Sequence, residues 1–236
     1  FMATSYAFDG VDVKRYSRYF NTPNQEMLCK KIAALENSED GLIFSSGMAA
    51  ISSAMFAFLK TWDHVIIQQV IYGGTFNLIV SEFEKYGIEY SFTESDKVAD
   101  FKLLLKTNTK ILYIETPSNP LLGITDIDAI ASLGKESGII TMIDNTFASP
   151  INQNPADFGI DIILHSATKY MGGHSDISAG AIAGSNEHIA QIWKTAINFG
   201  GNLSDQTVWL LERSLKTLNL RVKEQTKNAQ KMAEYL

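Results

Sequence analysis

Cysteine is almost absent from this chain. Cys29 is the single one in 236 residues, so no intramolecular disulfide and no thiolate metal cluster can be built. Its setting, Glu26-Met27-Leu28-Cys29-Lys30-Lys31-Ile32, reads as a helix interior. Such usage fits a reducing, cytoplasmic setting. No run of about 18 apolar residues, the length that spans a membrane, occurs. Phe1-Met2-Ala3-Thr4 also lacks the charged start and apolar core of a signal peptide. The 20 Lys and Arg residues are outnumbered by 26 Asp and Glu, for a net charge of −6. Because the basic residues form no patch, nucleic acid and anionic membranes are excluded as expected partners. Neither Gly-x-Gly-x-x-Gly nor Gly-Lys-Ser/Thr is present, which removes the dinucleotide fingerprint and the Walker loop. Of four histidines, His165 and His174 lie across a turn with no third partner in sequence, so no metal site is expected. His64 and His188 read as surface residues at element starts.

With 45% hydrophobic and 19% charged residues, the chain has an ordinary soluble composition and can bury a sizeable core. Short Ile- and Val-rich runs recur, each followed by a segment of helical spacing. That pattern predicts an α/β fold with a mainly parallel sheet covered by helices. Strands are expected over 41–44, 65–68, 89–92, 111–115, 139–143, 160–164 and 179–183, and helices over 48–59, 75–86, 98–104, 127–137 and 187–197. No repeat, linker or low-complexity tract interrupts them. In such sheets ligands bind at the carboxyl ends of the strands.

Five strand ends carry groups of chemical interest. Ser45-Ser46-Gly47-Met48 opens a helix and offers either a phosphate cradle of free amides or only a serine N-cap. Tyr72-Gly73-Gly74-Thr75 offers either an aromatic ring that stacks on a flat ligand or a tyrosine at a glycine turn. Glu115-Thr116-Pro117-Ser118-Asn119-Pro120 presents Asn119 as an amide donor on a turn stiffened by two prolines, or simply an Asn-Pro turn. Asp144-Asn145-Thr146 puts an acid straight after a buried run, where a carboxylate needs a cation unless it only caps the next turn. Last comes His165-Ser166-Ala167-Thr168-Lys169-Tyr170-Met171-Gly172-Gly173, with an amine suited to a Schiff base and two hydroxyls beside it, or a solvated lysine at a strand end. A cradle, a stacking ring, an amide donor, a buried acid and an amine together meet the needs of pyridoxal 5'-phosphate (PLP).

In the same order along nearly the whole chain, Tyr16-Ser17-Arg18, Ser46-Gly47-Met48, these strand-end motifs and Leu215-Lys216-Thr217-Leu218 resemble the Cys/Met-metabolism family of PLP-dependent enzymes. That family contains cystathionine γ-synthase, the cystathionine lyases and methionine γ-lyase. The resemblance implies the large domain of the fold type I transferases. Residues 1–40 would be an arm and first helix reaching a neighbouring subunit, 41–215 the PLP-binding domain, and 216–236 the start of a helix leading to a smaller C-terminal domain missing from these residues. It implies that Lys169 carries the cofactor aldimine and moves protons by way of an α-carbanion, that Asp144 pairs the pyridinium, and that Tyr72 stacks on the ring and takes part in catalysis. Ser46, Gly47, Met48, Ser166 and Thr168 would hold the phosphate, Asn119 and Thr146 would contact the cofactor, and Tyr16 and Arg18 would reach the phosphate of a neighbouring subunit in a homotetramer. The implied activity is C–S bond cleavage or formation on sulfur amino acids or homoserine esters, of cystathionine γ-lyase or γ-synthase type. Alternatives are an O-acyl-homoserine sulfhydrylase, a cystathionine β-lyase, a methionine γ-lyase, an aminotransferase or a non-catalytic PLP-binding protein. Gly74 stands where methionine γ-lyases tend to have a cysteine. Asn77 resembles the sulfhydrylases, and Gly173-His174-Ser175-Asp176 resembles the cystathionine branch.

Overall fold

A computed structural model describes residues 3–236, so the reading of Phe1 and Met2 lies outside the described residues. The seven expected apolar runs are strands: β1 (Asp40–Phe44), β2 (His64–Ile67), β3 (Glu89–Phe92), β4 (Thr109–Glu115), β5 (Ile140–Asp144), β6 (Ile162–His165) and β7 (Gly180–Gly184). They form one sheet in the order β1-β7-β6-β5-β4-β2-β3. β7 is antiparallel to both β1 and β6, and the other pairs are parallel. Nine α-helices accompany the sheet among the described residues: α1 (Pro23–Leu35), α2 (Gly47–Phe58), α3 (Gly73–Glu82), α4 (Val98–Leu103), α5 (Ile127–Ser137), α6 (Ser149–Asn152), α7 (Asn186–Phe199), α8 (Asp205–Leu215) and α9 (Leu218–Tyr235).

Alternate strand residues face opposite ways, and both sets are apolar, so the sheet is covered on both faces. Ile43, Ile66, Leu112, Ile143 and Ile163 meet α1, α5 and α8 on one face. Phe44, Ile67, Tyr113, Met142 and Leu164 meet α2, α3 and α7 on the other. Each fully covered side chain of this size contributes about 1.5–3 kcal/mol.

Helix starts follow local chemistry. Thr22 and Gln25 form a reciprocal capping box at α1, with Pro23 in its first turn. Ser46, Asp126, Ser185 and Ser204 cap α2, α5, α7 and α8 through their side chains. The helix expected over 75–86 instead starts at Gly73. It stops at Glu82, where a 3-10 turn, Phe83–Tyr86, carries the chain to Gly87.

His64 departs from its surface reading. It is fully buried at the start of β2, with Nδ1 2.9 Å from Thr109 Oγ1 and Nε2 3.0 Å from Ser91 Oγ. β2 lies between β3 and β4, so even its first residue is covered from both sides. Burial, reinforced by Lys106, pulls the imidazole down to about 4.

The turn after β1 depends on a close approach by β7. A Cβ added at Gly180 would lie 2.1 Å from the Ser46 carbonyl oxygen and 3.1 Å from Ala50 Cβ. The first of these is backbone and has no rotamer to change. Gly180→Ala is therefore expected to destabilise the protein by about 1–3 kcal/mol, seen as a lower midpoint in thermal unfolding. An unchanged midpoint would rule out this packing.

Candidate active site

A cavity of about 820 Å³ opens at the carboxyl ends of the strands. Every residue singled out above for cofactor contact lines it, except Tyr16 and Arg18.

From β1 the chain enters α2 at Ser46, whose hydroxyl accepts from the Ala49 amide at 3.0 Å. The amides of Gly47 and Met48 belong to the first turn and have no intrahelical acceptor. The cap therefore leaves two amides open at the same helix start. A Cβ at Gly47 would sit 2.9 Å from Ser166 Cβ, so glycine is what lets this helix start abut the turn that bears the lysine.

Tyr72 immediately precedes α3 and is 44% exposed. A Cβ at Gly74 would fall 2.5 Å from Tyr72 Cε1, so the bare backbone there makes room for the ring. The Tyr72 amide donates to Glu115 Oε2 at 2.6 Å, and the Asn119 amide donates to Glu115 Oε1 at 2.9 Å. One carboxylate thus ties together the loops that carry the ring and the amide side chain.

Glu115 and Asp144 are register partners on β4 and β5, only 4% and 5% exposed. Burial, with Asp144 as a neighbouring anion, pushes the Glu115 carboxyl up to about 7. Burial also raises Asp144, against hydrogen bonds from Thr146 and the charge of His165. The Thr146 amide donates to Asp144 Oδ1 at 3.0 Å, and Thr146 Oγ1 accepts from the Ser166 amide at 2.7 Å. Thr146 therefore links the acid's strand end to the lysine's.

Between β6 and β7 the chain folds into a tight turn. The Lys169 amide donates to Ser166 O at 3.1 Å and the Gly173 amide to Lys169 O at 2.7 Å. The hydroxyls of Ser166 and Thr168, equivalent in sequence, differ here. Thr168 Oγ1 donates to Ala179 O at 3.1 Å and accepts from the Ala179 amide at 3.0 Å. Ser166 Oγ has no partner among the described residues and faces the cavity. Lys169 is exposed into the same space without a carboxylate partner among the described residues.

Tyr16 and Arg18 are not brought to the cavity of their own chain. The Arg18 guanidinium donates to Ile197 O at 2.7 Å and lies 5.4 Å and 5.2 Å from the Tyr16 and Tyr19 rings. Sequence reasoning assigns Glu115 no role, although its signal is the same as that of Asp144, an acid directly after an apolar strand. Phe147 and Gln225 also line the cavity. Gln225 comes from α9, and no local pattern marks it.

A buried carboxylate, an unpaired amine, free helix amides and a ring at the mouth suit a flat ligand with a basic nitrogen at one end and an anion at the other. The residues fit pyridoxal phosphate.

A family profile described as Cys/Met metabolism PLP-dependent enzyme matches residues 2–236. The chain is 44% identical over 230 residues to cystathionine beta-lyase MetC of Bacillus subtilis (strain 168), covering 97% of this chain and 58% of that one. It is 41% identical over 222 residues to cystathionine gamma-lyase of the same organism, covering 94% of this chain and 58% of that one. The solved structure of cystathionine gamma synthase from Xanthomonas oryzae pv. oryzae in complex with cystathionine superposes with a TM-score of 0.95 at 35% identity, over 100% of this chain and 62% of that one. The chain thus spans about 58% of the length of these curated relatives.

The position of Glu115 predicts a pH dependence. Its carboxyl is shifted from an ordinary 4.5 to about 7 in the folded protein. Below pH 4.5 both states hold the proton and folding loses nothing. As pH rises toward 7 the unfolded chain releases it first, so stability falls. Thermal midpoints of the cofactor-free protein between pH 4.5 and 7 should decline more steeply for the wild type than for Glu115→Gln. Parallel declines would contradict the assignment.

Proposed function

Because the chain belongs to the Cys/Met metabolism PLP-dependent enzymes, we propose that it is the cofactor-binding part of a C–S bond-cleaving or -forming enzyme of sulfur amino acid metabolism, of cystathionine γ-lyase or γ-synthase type. The supporting observation is that buried Asp144 and unpaired Lys169 line one cavity together with the open helix start at Gly47 and Met48. Bound pyridoxal phosphate supplies a ring that withdraws electrons from the α-carbon of an amino acid.

The chain's own residues do the rest. Asp144 holds the proton on the ring nitrogen, and Thr146 orients that carboxylate. The amides of Gly47 and Met48 and the hydroxyls of Ser46 and Ser166 bind the phosphate. Thr168 fixes the lysine turn against Ala179. Tyr72 would stack on the ring, exclude water from it and exchange protons at its hydroxyl. Asn119 would donate to the ring's phenolic oxygen. Lys169 Nζ would hold the cofactor at rest and, once released, take the proton from the substrate α-carbon and return it.

Tyr16 and Arg18 serve the phosphate of a neighbouring subunit, a role supported by their not lining the cavity of their own chain, and the working protein is a homo-oligomer of the dimer-of-dimers kind. Its single buried cysteine supports a cytoplasmic setting, and no helix among the described residues is long and apolar enough to cross a membrane. A β-lyase is the second reading, favoured by the 44% identity to a protein of that name.

Incubating the full-length, cofactor-loaded protein with L-cystathionine and identifying the released thiol tests both. Cysteine supports the γ-type reading, and homocysteine replaces it with the β-lyase. Lys169→Ala should lower turnover by at least about 100-fold while circular dichroism stays unchanged. Substantial residual turnover in that variant would remove Lys169 from its role.

A further inference from the structure

One cluster of buried ionisable groups plays no part in this chemistry. Glu36, at the C-terminal end of α1, is completely buried. Its Oε1 lies 2.5 Å from His165 Nε2 and accepts from Asn145 Nδ2 at 2.9 Å, while Oε2 is buried without a partner. Gln153 Nε2 donates to Asn145 Oδ1 at 2.8 Å and to Thr116 O at 2.9 Å. A buried carboxylate facing an imidazole is a poor way to gain stability, since apolar side chains of similar volume do as well or better. Its value lies in what it fixes. Asn145 directly follows Asp144, and His165 directly precedes Ser166 at the start of the lysine turn. The cluster lies across the sheet from the acid. His165 alternates with Leu164, the register partner of Asp144, and so faces the side of the sheet that carries α1. None of Glu36, Asn145 and His165 lines the cavity.

We propose that Glu36 is a positioning residue of the cofactor site: through His165 and Asn145 it clamps the ends of β5 and β6 and so holds Asp144 and the lysine turn in the arrangement that binds pyridoxal phosphate. Glu36 faces the imidazole of His165, which is also the group whose charge lowers Asp144 against the effect of burial. This inference rests on the functional reading above and adds to it a residue with no access to the ligand.

The test uses the full-length apoprotein and pyridoxal phosphate itself, and reads the dissociation constant and the absorption spectrum of the bound cofactor. Glu36→Gln retains the shape and an acceptor for Asn145 but removes the ionisable carboxyl group. It is expected to fold, by circular dichroism, yet to bind the cofactor about tenfold more weakly, the low end of what outer-shell partners contribute to a bound group. The spectrum should change with the protonation of the bound ring, a signature that a purely structural role would not move. His165→Gln should do the same, and it carries the comparison if Glu36→Gln does not fold. A folded variant with wild-type affinity and spectrum overturns the proposal, as does failure of both variants to fold, which would mark the pair as structural only. A wild-type apoprotein that does not bind pyridoxal phosphate would overturn the functional reading itself, an outcome distinct from either.

Discussion

Glu115 and Asp144 end neighbouring parallel strands side by side, and both are almost completely covered. Two carboxyl groups so placed disfavour each other's ionisation and have lost most of their water, a situation that protein groups must relieve locally. The relief organises the site. Glu115 gathers the amides of Tyr72 and Asn119, and Asp144 gathers Thr146, which binds the Ser166 amide in turn. Loops from β2, β4, β5 and β6 meet at the carboxyl ends of the strands around these two carboxyl groups. Under the function proposed above, the side of Asp144 that lines the cavity would face a cationic ring nitrogen.

The lysine turn is held from several directions. Its own backbone closes it, Thr168 fastens it to the start of β7, and Arg221 on α9 donates to Tyr170 O at 2.7 Å. A Cβ at Gly173 would strike that guanidinium at 2.0 Å. α9 buries only Leu218 and Val222 among its side chains. Its Arg221 is therefore a main link between the last helix and the residues around Lys169. Amine chemistry needs a nitrogen placed to within a fraction of an ångström but able to move, and a rigid turn bearing a long, unpaired side chain provides both.

Much of this was legible in residue order. Most strands were short apolar runs, because a sheet covered on both faces needs apolar side chains at successive positions, and the strand ends then pointed to the site; the edge strand β3, Glu89-Tyr90-Ser91-Phe92, is more exposed and more polar. Ser46 could be read as a cap or as part of a cradle, and the structure shows the cap, whose hydroxyl engages the Ala49 amide and leaves the two amides before it open. The surface reading of His64 failed because burial there comes from β3 and β4 on either side, and a single-strand pattern carries no information about which strands become neighbours. Glu115 was visible but unassigned, since its partners are backbone amides with no residue signature. Glu36 left no local trace, as nothing near it in sequence discloses that α1 ends against the exits of β5 and β6.

By itself the sequence determined the α/β architecture, which depends on periodicity, and the candidate groups for a cofactor, which depend on side-chain chemistry that the order of residues states directly, while the family followed from the resemblance of its motifs. The tertiary structure alone decided which of those groups share a cavity. It separated Ser166 from Thr168 by their partners, set Tyr16 and Arg18 apart from their own site, and placed a buried Glu36–His165 pair behind Asp144. These outcomes depend on strand order and on desolvation across the sheet, and both arise only when residues far apart in the chain are packed together.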